Sequence, residues 1–503
     1  MAGSPVSDIM DWPARFAAEH GRQPRILHLG NVVNNAYINA TIQRTQGVDA
    51  YVLDPDLYHI MASPEWRDVE IDGDYGDDFY PDWSQTSAVD YRRPDWFAQG
   101  PILLAVAYLT ALVQGRRREA TRLRDSIDAF RRVNVPKRDI SGAPPPLPKP
   151  RGLQAWGERR LAKLQRKLGR VVPAWSNPPE RSVPGGDDSI PEQARFYRNS
   201  YWALRDLFEQ FDVIQGYTVS AALALAVDMK RVVAYELGTI RGLPFEDTPA
   251  GRVAKWVYQT APACIITNTD CVDAADRLGI LPANRALALH PYDVNRAMAF
   301  ASAPGPSPFT GDTPYFFAPA RHHWKEGSLS FLKGNDVLIR AAGRLKRMGY
   351  AFRLLFVHWG PDVDLSKALI REEGLEENVI WTQPQSMLKL WRLCCGAVAV
   401  VDQFRAPALG GIAMDTMALG RRLITAYDAG MSTGFFDMPA PVCDARTEED
   451  AARAMQCVLD DPQDLAGDGA KNQHWFATQH GIERQLVPQF EFYARLTRAF
   501  GIA

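Results

Sequence analysis

Long hydrophobic runs are missing from this chain. Nowhere in its 503 residues do about 18 apolar residues follow one another, so no membrane-spanning helix is expected. The opening 25 residues lack the apolar core of a signal peptide. Cysteine is sparse. The six cysteines form no CxxC pair and adopt no zinc spacing with the nine histidines. Six thiols in so long a chain make no disulfide framework, which points to a reducing cytoplasm. Neither sign of charge is in excess. The net charge of −2 argues against a nucleic-acid binder. Asp54/Asp56, Asp72/Asp74 and Asp362/Asp364 are of DxD form, but none has the sheet context of a metal-dependent transferase. They read as solvated loop charges, and no metal is expected.

What is present is apolar and periodic. The hydrophobic share of 46% is enough for large cores, and the length suits two or three domains. Arg25–Leu29 reads as a strand, Ala36–Arg44 as a helix and Ala50–Asp54 as a strand, the opening of a Rossmann-like unit. Asp68–Asp95 reads as a long acidic loop and Pro101–Gln114 as a helix. From about 115 to 190 the chain turns basic and proline-rich. Within it, Leu153–Leu168 predicts a helix with Trp156 and leucines along one side and Arg/Lys over the rest. Strand–helix alternation then resumes at Phe211–Ile214, Arg231–Tyr235 and Cys264–Asn268. After Phe300–Asp312, a linker by composition, the rhythm restarts at Tyr315–Phe317 and continues through Arg353–Val357, Val379–Trp381, Ala397–Asp402 and Arg422–Ala426. Short, unalternated apolar strands belong to parallel sheets buried on both faces. The expected fold is α/β: two doubly wound Rossmann-like domains facing across a cleft, at 1–300 and 301–480. A further helical segment is expected at 481–503.

Ligands of such sheets bind at the carboxyl ends of the strands. Arg321 follows the strand Tyr315–Ala318, and Lys333-Gly334 opens the next helix. Two cations beside a helix N-terminus suit a diphosphate; ordinary surface cations are the alternative. Gly410-Gly411 precedes a helix expected to carry Asp415 in its first turn, where a carboxylate can accept ribose hydroxyls or simply favour the helix start.

Taken in order, Arg321, Lys333-Gly334 and the segment Gly410-Gly411-Ile412-Ala413-x-Asp415-x-Met417-Ala418-x-Gly420 resemble glycosyltransferase family 4. These are retaining transferases of the GT-B type, and the resemblance is strongest over Phe317–Ala426. It extends to members acting on bacterial surface polysaccharide or lipopolysaccharide. It implies that Arg321 and Lys333 hold the donor diphosphate and neutralise the leaving group without a metal or resident cofactor. It implies that Gly410, Gly411, Ile412 and Asp415 bind the rest of a UDP- or GDP-sugar, Asp415 through the ribose. By the same resemblance the helical segment at 481–503 packs back on the first domain. Two departures stand out. Pro407 occupies the place of the family's first acid, with Asp402 nearby, and Leu237 occupies the place of its histidine.

In the first half, the turn Gly30–Tyr37 follows the first strand and lacks the GxGxxG pattern, which disfavours a nicotinamide site. Asn34, Asn35 and Tyr37 are acceptor-side candidates, with helix capping as the alternative. So are Glu236, Thr239 and Arg241, the last equally suited to a salt bridge. His290 is a candidate base or a core histidine. The activity expected is transfer of a hexosyl-like sugar from a nucleotide diphosphate to a glycan or lipid-linked acceptor, in polysaccharide biosynthesis. The alternative is a non-catalytic sugar-nucleotide or glycan binder. The basic insert suits an anionic membrane surface, so the expected setting is cytoplasmic, peripheral on the inner face of the membrane.

Overall fold

The computed structural model describes residues 6–55, 59–77, 79–132, 189–307, 309, 313–326, 332–461 and 465–501. The helix expected at Leu153–Leu168 and most of the basic insert lie outside these residues. The chain divides into two compact units. The first comprises Met1–Pro64, Gly73–Ala286 and Val487–Ala503; the second comprises Glu65–Asp72 and Leu287–Leu486. No helix of the described residues is long and apolar enough to cross a membrane.

The first unit holds a seven-stranded sheet. Its strands are β1 (Arg25–Leu29), β2 (Asp49–Pro55), β3 (Phe97–Gly100), β4 (Val213–Tyr217), β5 (Val232–Tyr235), β6 (Ala263–Ile266) and β7 (Arg285–Leu287). They lie in the order β3-β2-β1-β4-β5-β6-β7. The second unit holds six: β8 (Tyr315–Ala318), β9 (Arg353–Val357), β10 (Val379–Thr382), β11 (Ala399–Val401), β12 (Leu423–Thr425) and β13 (Cys443–Asp444). Their order is β10-β9-β8-β11-β12-β13. Pairings such as β1 with β2 and β4, and β8 with β9 and β11, are parallel. Both units are therefore α/β and doubly wound, as the apolar strands implied. The sequence did not reveal β3, whose residues Phe-Ala-Gln-Gly carry no apolar run. Helices Tyr201–Phe208 and Pro249–Thr260 were likewise not foreseen.

Side-chain alternation along the strands explains why both faces of the second sheet are covered. Phe316, Ala318, Leu354, Phe356, Ala399 and Val401 enter one core with helices Asn335–Arg347 and Glu448–Asp460. Tyr315, Phe317, Leu355, Val357 and Val400 enter the other, with helices Met387–Gly396 and Gly411–Ala418. Helix Val294–Ser302 buries Val294 and Ala297 in that second core. For this reason the second unit begins at Leu287, earlier than residue 301, and the foreseen linker is partly helix.

In the first unit a buried polar layer lies against the sheet. His28 shares hydrogen bonds with Tyr217 and Gln43, at 3.0 Å each. Gln489 and Tyr493, from helix Ile482–Phe500, bond Gln43, Gln215 and Asn39. Burial pushes the His28 imidazole down to about 4, so it stays neutral and both ring nitrogens remain engaged.

Gly216 is the last but one residue of β4, where the chain turns back on Ala221. A β-carbon on Gly216 would lie 2.4 Å from the Ala221 nitrogen and α-carbon. Backbone cannot yield as a side chain can. Gly216→Ala is expected to cost about 2–3 kcal/mol, in the range of an overpacked core. Urea unfolding followed by tryptophan fluorescence measures it, and a loss below about 0.5 kcal/mol would contradict this account.

Candidate functional site

Strand order reverses between β8 and β11 in the second sheet, because β8 leads outward to β9 while β11 leads the other way to β12. Segments leaving the carboxyl ends of two such strands diverge and open a crevice. Arg321 stands on the segment after β8, and Asp402-Gln403-Phe404 on the segment after β11.

The loop carrying Arg321 and Lys333 closes at a narrow neck. The Lys333 N–H donates to the His323 carbonyl at 2.6 Å, and the Phe404 N–H donates to the Lys333 carbonyl at 2.8 Å. These two bonds bring Lys333 to within two residues of Arg321 and tie it to the β11 segment. The Lys333 ammonium donates to Gln403 Oε1 at 2.5 Å. Gln403 is itself held: its Nε2 donates to the Ala408 carbonyl at 2.8 Å, and its carbonyl accepts from the Ala426 N–H at 2.7 Å. Gly334 adopts φ +75°, and a β-carbon there would press on Phe404 and Arg405 at 3.1 Å. That explains a glycine between the cation and its helix.

Arg321 is half-buried, and burial pulls its guanidinium below the usual range. Its neighbours are fixed by the loop after β9. His322 N–H donates to the Trp359 carbonyl, and Asp362 N–H donates to the His322 carbonyl, both at 2.9 Å. Asp362 Oδ2 accepts the N–H groups of Trp324 and Lys325 at 2.6 and 2.9 Å. Gly360, at φ +113°, allows the close approach, since a β-carbon would lie 2.4 Å from the His322 carbonyl oxygen. His322 bonds Ser366 at 2.8 Å and packs on Phe356 and Trp381. Burial, with His358 nearby, lowers its pKa to about 4.

Gly410 and Gly411 stand at the start of helix Gly411–Ala418, next to Asp402 and Gln403: a β-carbon on Gly410 would lie 3.3 Å from Asp402 Oδ2 and 3.9 Å from Gln403 Nε2. Ile412 is half-buried against the second core. Asp415 departs from expectation. It falls in the second turn of the helix, and the side chain enters the core. Its Oδ1 accepts from Tyr292 Oη at 2.7 Å and from Trp391 Nε1 at 2.8 Å. Desolvation raises its pKa to about 6, opposed by those two bonds.

At the corresponding reversal in the first sheet, between β1 and β4, the asparagines are already used, while Ser63 Oγ is buried without a partner. Asn31, which the sequence reading passed over, is the organiser. Its Nδ2 donates to the Ala62 carbonyl at 2.7 Å and to Asn34 Oδ1 at 2.9 Å, and its Oδ1 accepts the Tyr37 N–H at 2.9 Å. Asn34 is buried at φ +59° and donates to the Ser63 carbonyl. Asn35 donates to the Val32 carbonyl. Tyr37 stacks on Trp96 at 5.1 Å. Neither asparagine caps the helix with its side chain; Asn31 does.

Glu236 is fully buried. Its Oε1 accepts the N–H of Ile240 at 3.1 Å and of Gly238, and its Oε2 accepts from Asn268. Burial holds its pKa above the carboxylate range. Thr239 is half-buried in the same turn. Arg241 pairs bidentately with Asp270 at 2.5 and 2.7 Å, the salt-bridge alternative. His290 belongs to the second unit, where its carbonyl accepts from His480 Nε2 at 2.7 Å. The reading of the DxD acids as solvated is corrected for two of them. Asp54 is buried, accepting from the Asn31 N–H at 3.2 Å and Gln99 Nε2 at 2.6 Å, and Asp362 is buried as described. Asp56 lies outside the described residues. Among the described residues no three His, Cys, Asp or Glu side chains group as a metal site.

No model of a known protein family matches this chain, and no curated protein does. Among solved structures it is similar to a glycosyltransferase from Rickettsia africae, at 11% identity over 94% of this chain and 99% of that one, with a TM-score of 0.49. It is similar to Anabaena HepE in complex with UDP-glucose, at 14% identity over 60% and 82% of the two chains, with a TM-score of 0.44. It is also similar to an S. aureus TarM variant in a complex containing UDP, at 13% identity and a TM-score of 0.43; the chain spans 59% of that protein's length and 59% of its own is covered.

Asp415 makes a pH test. A carboxyl whose pKa is raised on folding binds its proton more tightly folded than unfolded, so stability falls as pH rises from about 4 to about 6 and levels above. A rise from 3.8 to about 6 corresponds to at most about 3 kcal/mol. Asp415→Asn keeps an acceptor for Tyr292 and Trp391 and is expected to remove this component. Equal slopes for both proteins in chemical denaturation between pH 4 and 6 would refute it.

Proposed function

We propose that the chain is a glycosyltransferase that takes a sugar from a nucleoside-diphosphate donor, a UDP- or GDP-sugar, and passes it to a hydroxyl of a glycan or lipid-linked acceptor. The observation that carries this is the ammonium of Lys333, held by Gln403 across the strand reversal, in a loop neck shared with Arg321. A diphosphate there meets a guanidinium, an ammonium and the open start of a helix bearing two glycines. As the bond to the sugar breaks, charge grows on the departing diphosphate. Preorganised cations stabilise it at the moment it forms, the task a divalent metal performs elsewhere. In this reading the reaction needs no metal and retains configuration, and Asp415 Oδ2, which takes no hydrogen bond from the described residues, meets the ribose.

A second reading is a sugar-nucleotide or glycan binder without turnover. Pro407 and Leu237, where the resemblance implies an acid and a histidine, favour it. So does Arg241, whose guanidinium is already paired with Asp270.

Thermal shift with UDP-, GDP- and ADP-sugars identifies the donor, and nucleotide release in the presence of cell-surface glycan extract measures turnover. Arg321→Ala and Lys333→Ala are each expected to lower kcat/KM by about 10²–10³, with EDTA leaving the wild-type rate unchanged. Rates within threefold of wild type in both variants would overturn the assignment, and binding without released nucleotide favours the second reading. Exposed Arg116, Arg117, Arg118 and Arg122 lead into the basic insert, and this stretch is proposed to meet an anionic membrane surface. Flotation with vesicles containing phosphatidylglycerol should carry the protein upward at low salt; no flotation with or without the anionic lipid rejects it.

A further inference from the structure

Several acids are buried among the described residues at the ends of strands or the starts of helices, and most of them take hydrogen bonds within the chain. Asp54, Glu236, Asp362 and Asp415 each accept at least two. Asp402 differs. It is 7% exposed, and its Oδ2 is buried without a hydrogen-bond partner. The first turn of helix Gly411–Ala418, through the backbone N–H of Ala413, favours the charged form of this carboxylate. The charge of Lys333 favours the ionised form as well. Leaving a buried acceptor unsatisfied costs about 1–3 kcal/mol, more when it is charged, so the unmet oxygen calls for a partner.

The position of Asp402 names that partner. It follows β11 at the strand reversal, one residue before the glutamine that holds Lys333. Gly410 stands beside it, and a β-carbon there would lie 3.3 Å from Oδ2. A carboxylate oxygen in this place needs a hydrogen-bond donor. The diphosphate of a nucleotide sugar offers none at neutral pH, whereas the sugar ring carries several hydroxyls.

We propose that Asp402 is a specificity-determining residue of the donor site, its Oδ2 accepting a hydrogen bond from one hydroxyl of the transferred sugar. This rests on the glycosyltransferase reading. It makes the site select donors that carry that hydroxyl, because a donor without it leaves a buried charged acceptor unmatched.

The test uses the full chain and calorimetric titration with UDP, GDP and ADP, with UDP-glucose, GDP-mannose and ADP-glucose, and with monodeoxy forms of whichever sugar nucleotide binds. Wild type should lose about tenfold in affinity for one deoxy donor, as for a lost charged hydrogen bond. Asp402→Asn should weaken the complete sugar nucleotide about tenfold, leave the free nucleoside diphosphate within twofold, and no longer discriminate against that deoxy donor. Asp402→Ser, which removes the carboxylate altogether, should reproduce the sugar-selective loss and serves if Asp402→Asn does not fold. Equal weakening of sugar nucleotide and free diphosphate would mean that Asp402 only holds the helix, and the proposal fails. Tighter binding of both in Asp402→Asn would mean that its charge merely repels the diphosphate, and the proposal fails again. If wild type binds none of the three nucleoside diphosphates, the glycosyltransferase reading itself falls and takes this one with it.

Discussion

The hydrogen bond from the Lys333 ammonium to Gln403 is the contact on which the second unit's site depends. Lysine is a flexible point charge, and a long surface loop would ordinarily leave it mobile. Here its backbone is stapled to His323 and Phe404, and its head to a glutamine that is itself bonded on two sides. A charged hydrogen bond of this kind contributes roughly 1.5–3 kcal/mol, enough to hold one rotamer. The result is a cation set in advance beside the ends of two diverging strands.

The two strand reversals of this protein make an instructive pair. Each stands where sheet order turns, between β1 and β4 and between β8 and β11. In the first, Asn31 closes the hydrogen bonds of its own loop, and Asn34 and Asn35 bond carbonyls of the chain. In the second, a buried carboxylate oxygen is left without a partner. Chemistry is expected where polar groups are preorganised and incompletely satisfied.

Burial sorts the ionisable groups in the same way. Neutral His28 and His322 have been pushed down by desolvation, and their rings act as fixed struts between strand and helix. Glu236 and Asp362 knit turns together through backbone N–H groups. These are positioning devices: they set the loops that carry Arg241 and Arg321 and leave those guanidinium groups to their own partners.

The sequence alone determined the two doubly wound α/β units, since short unalternated apolar strands can be buried on both faces only in parallel sheets covered by helices. It also determined which loops follow β8 and β11, because strand and helix order is local. It missed β3, whose Phe97–Gly100 has no hydrophobic pattern and becomes a strand through pairing with β2. Side-chain satisfaction was decided by tertiary structure. Asp415 reads as a helix-start acid, yet Tyr292 and Trp391, more than a hundred residues before it and 24 before it, draw it into the core. Asp54 and Asp362 read as solvated charges and are buried acceptors. Whether a polar group is used or left open depends on partners distant in the chain, and spacing along a sequence carries no record of them.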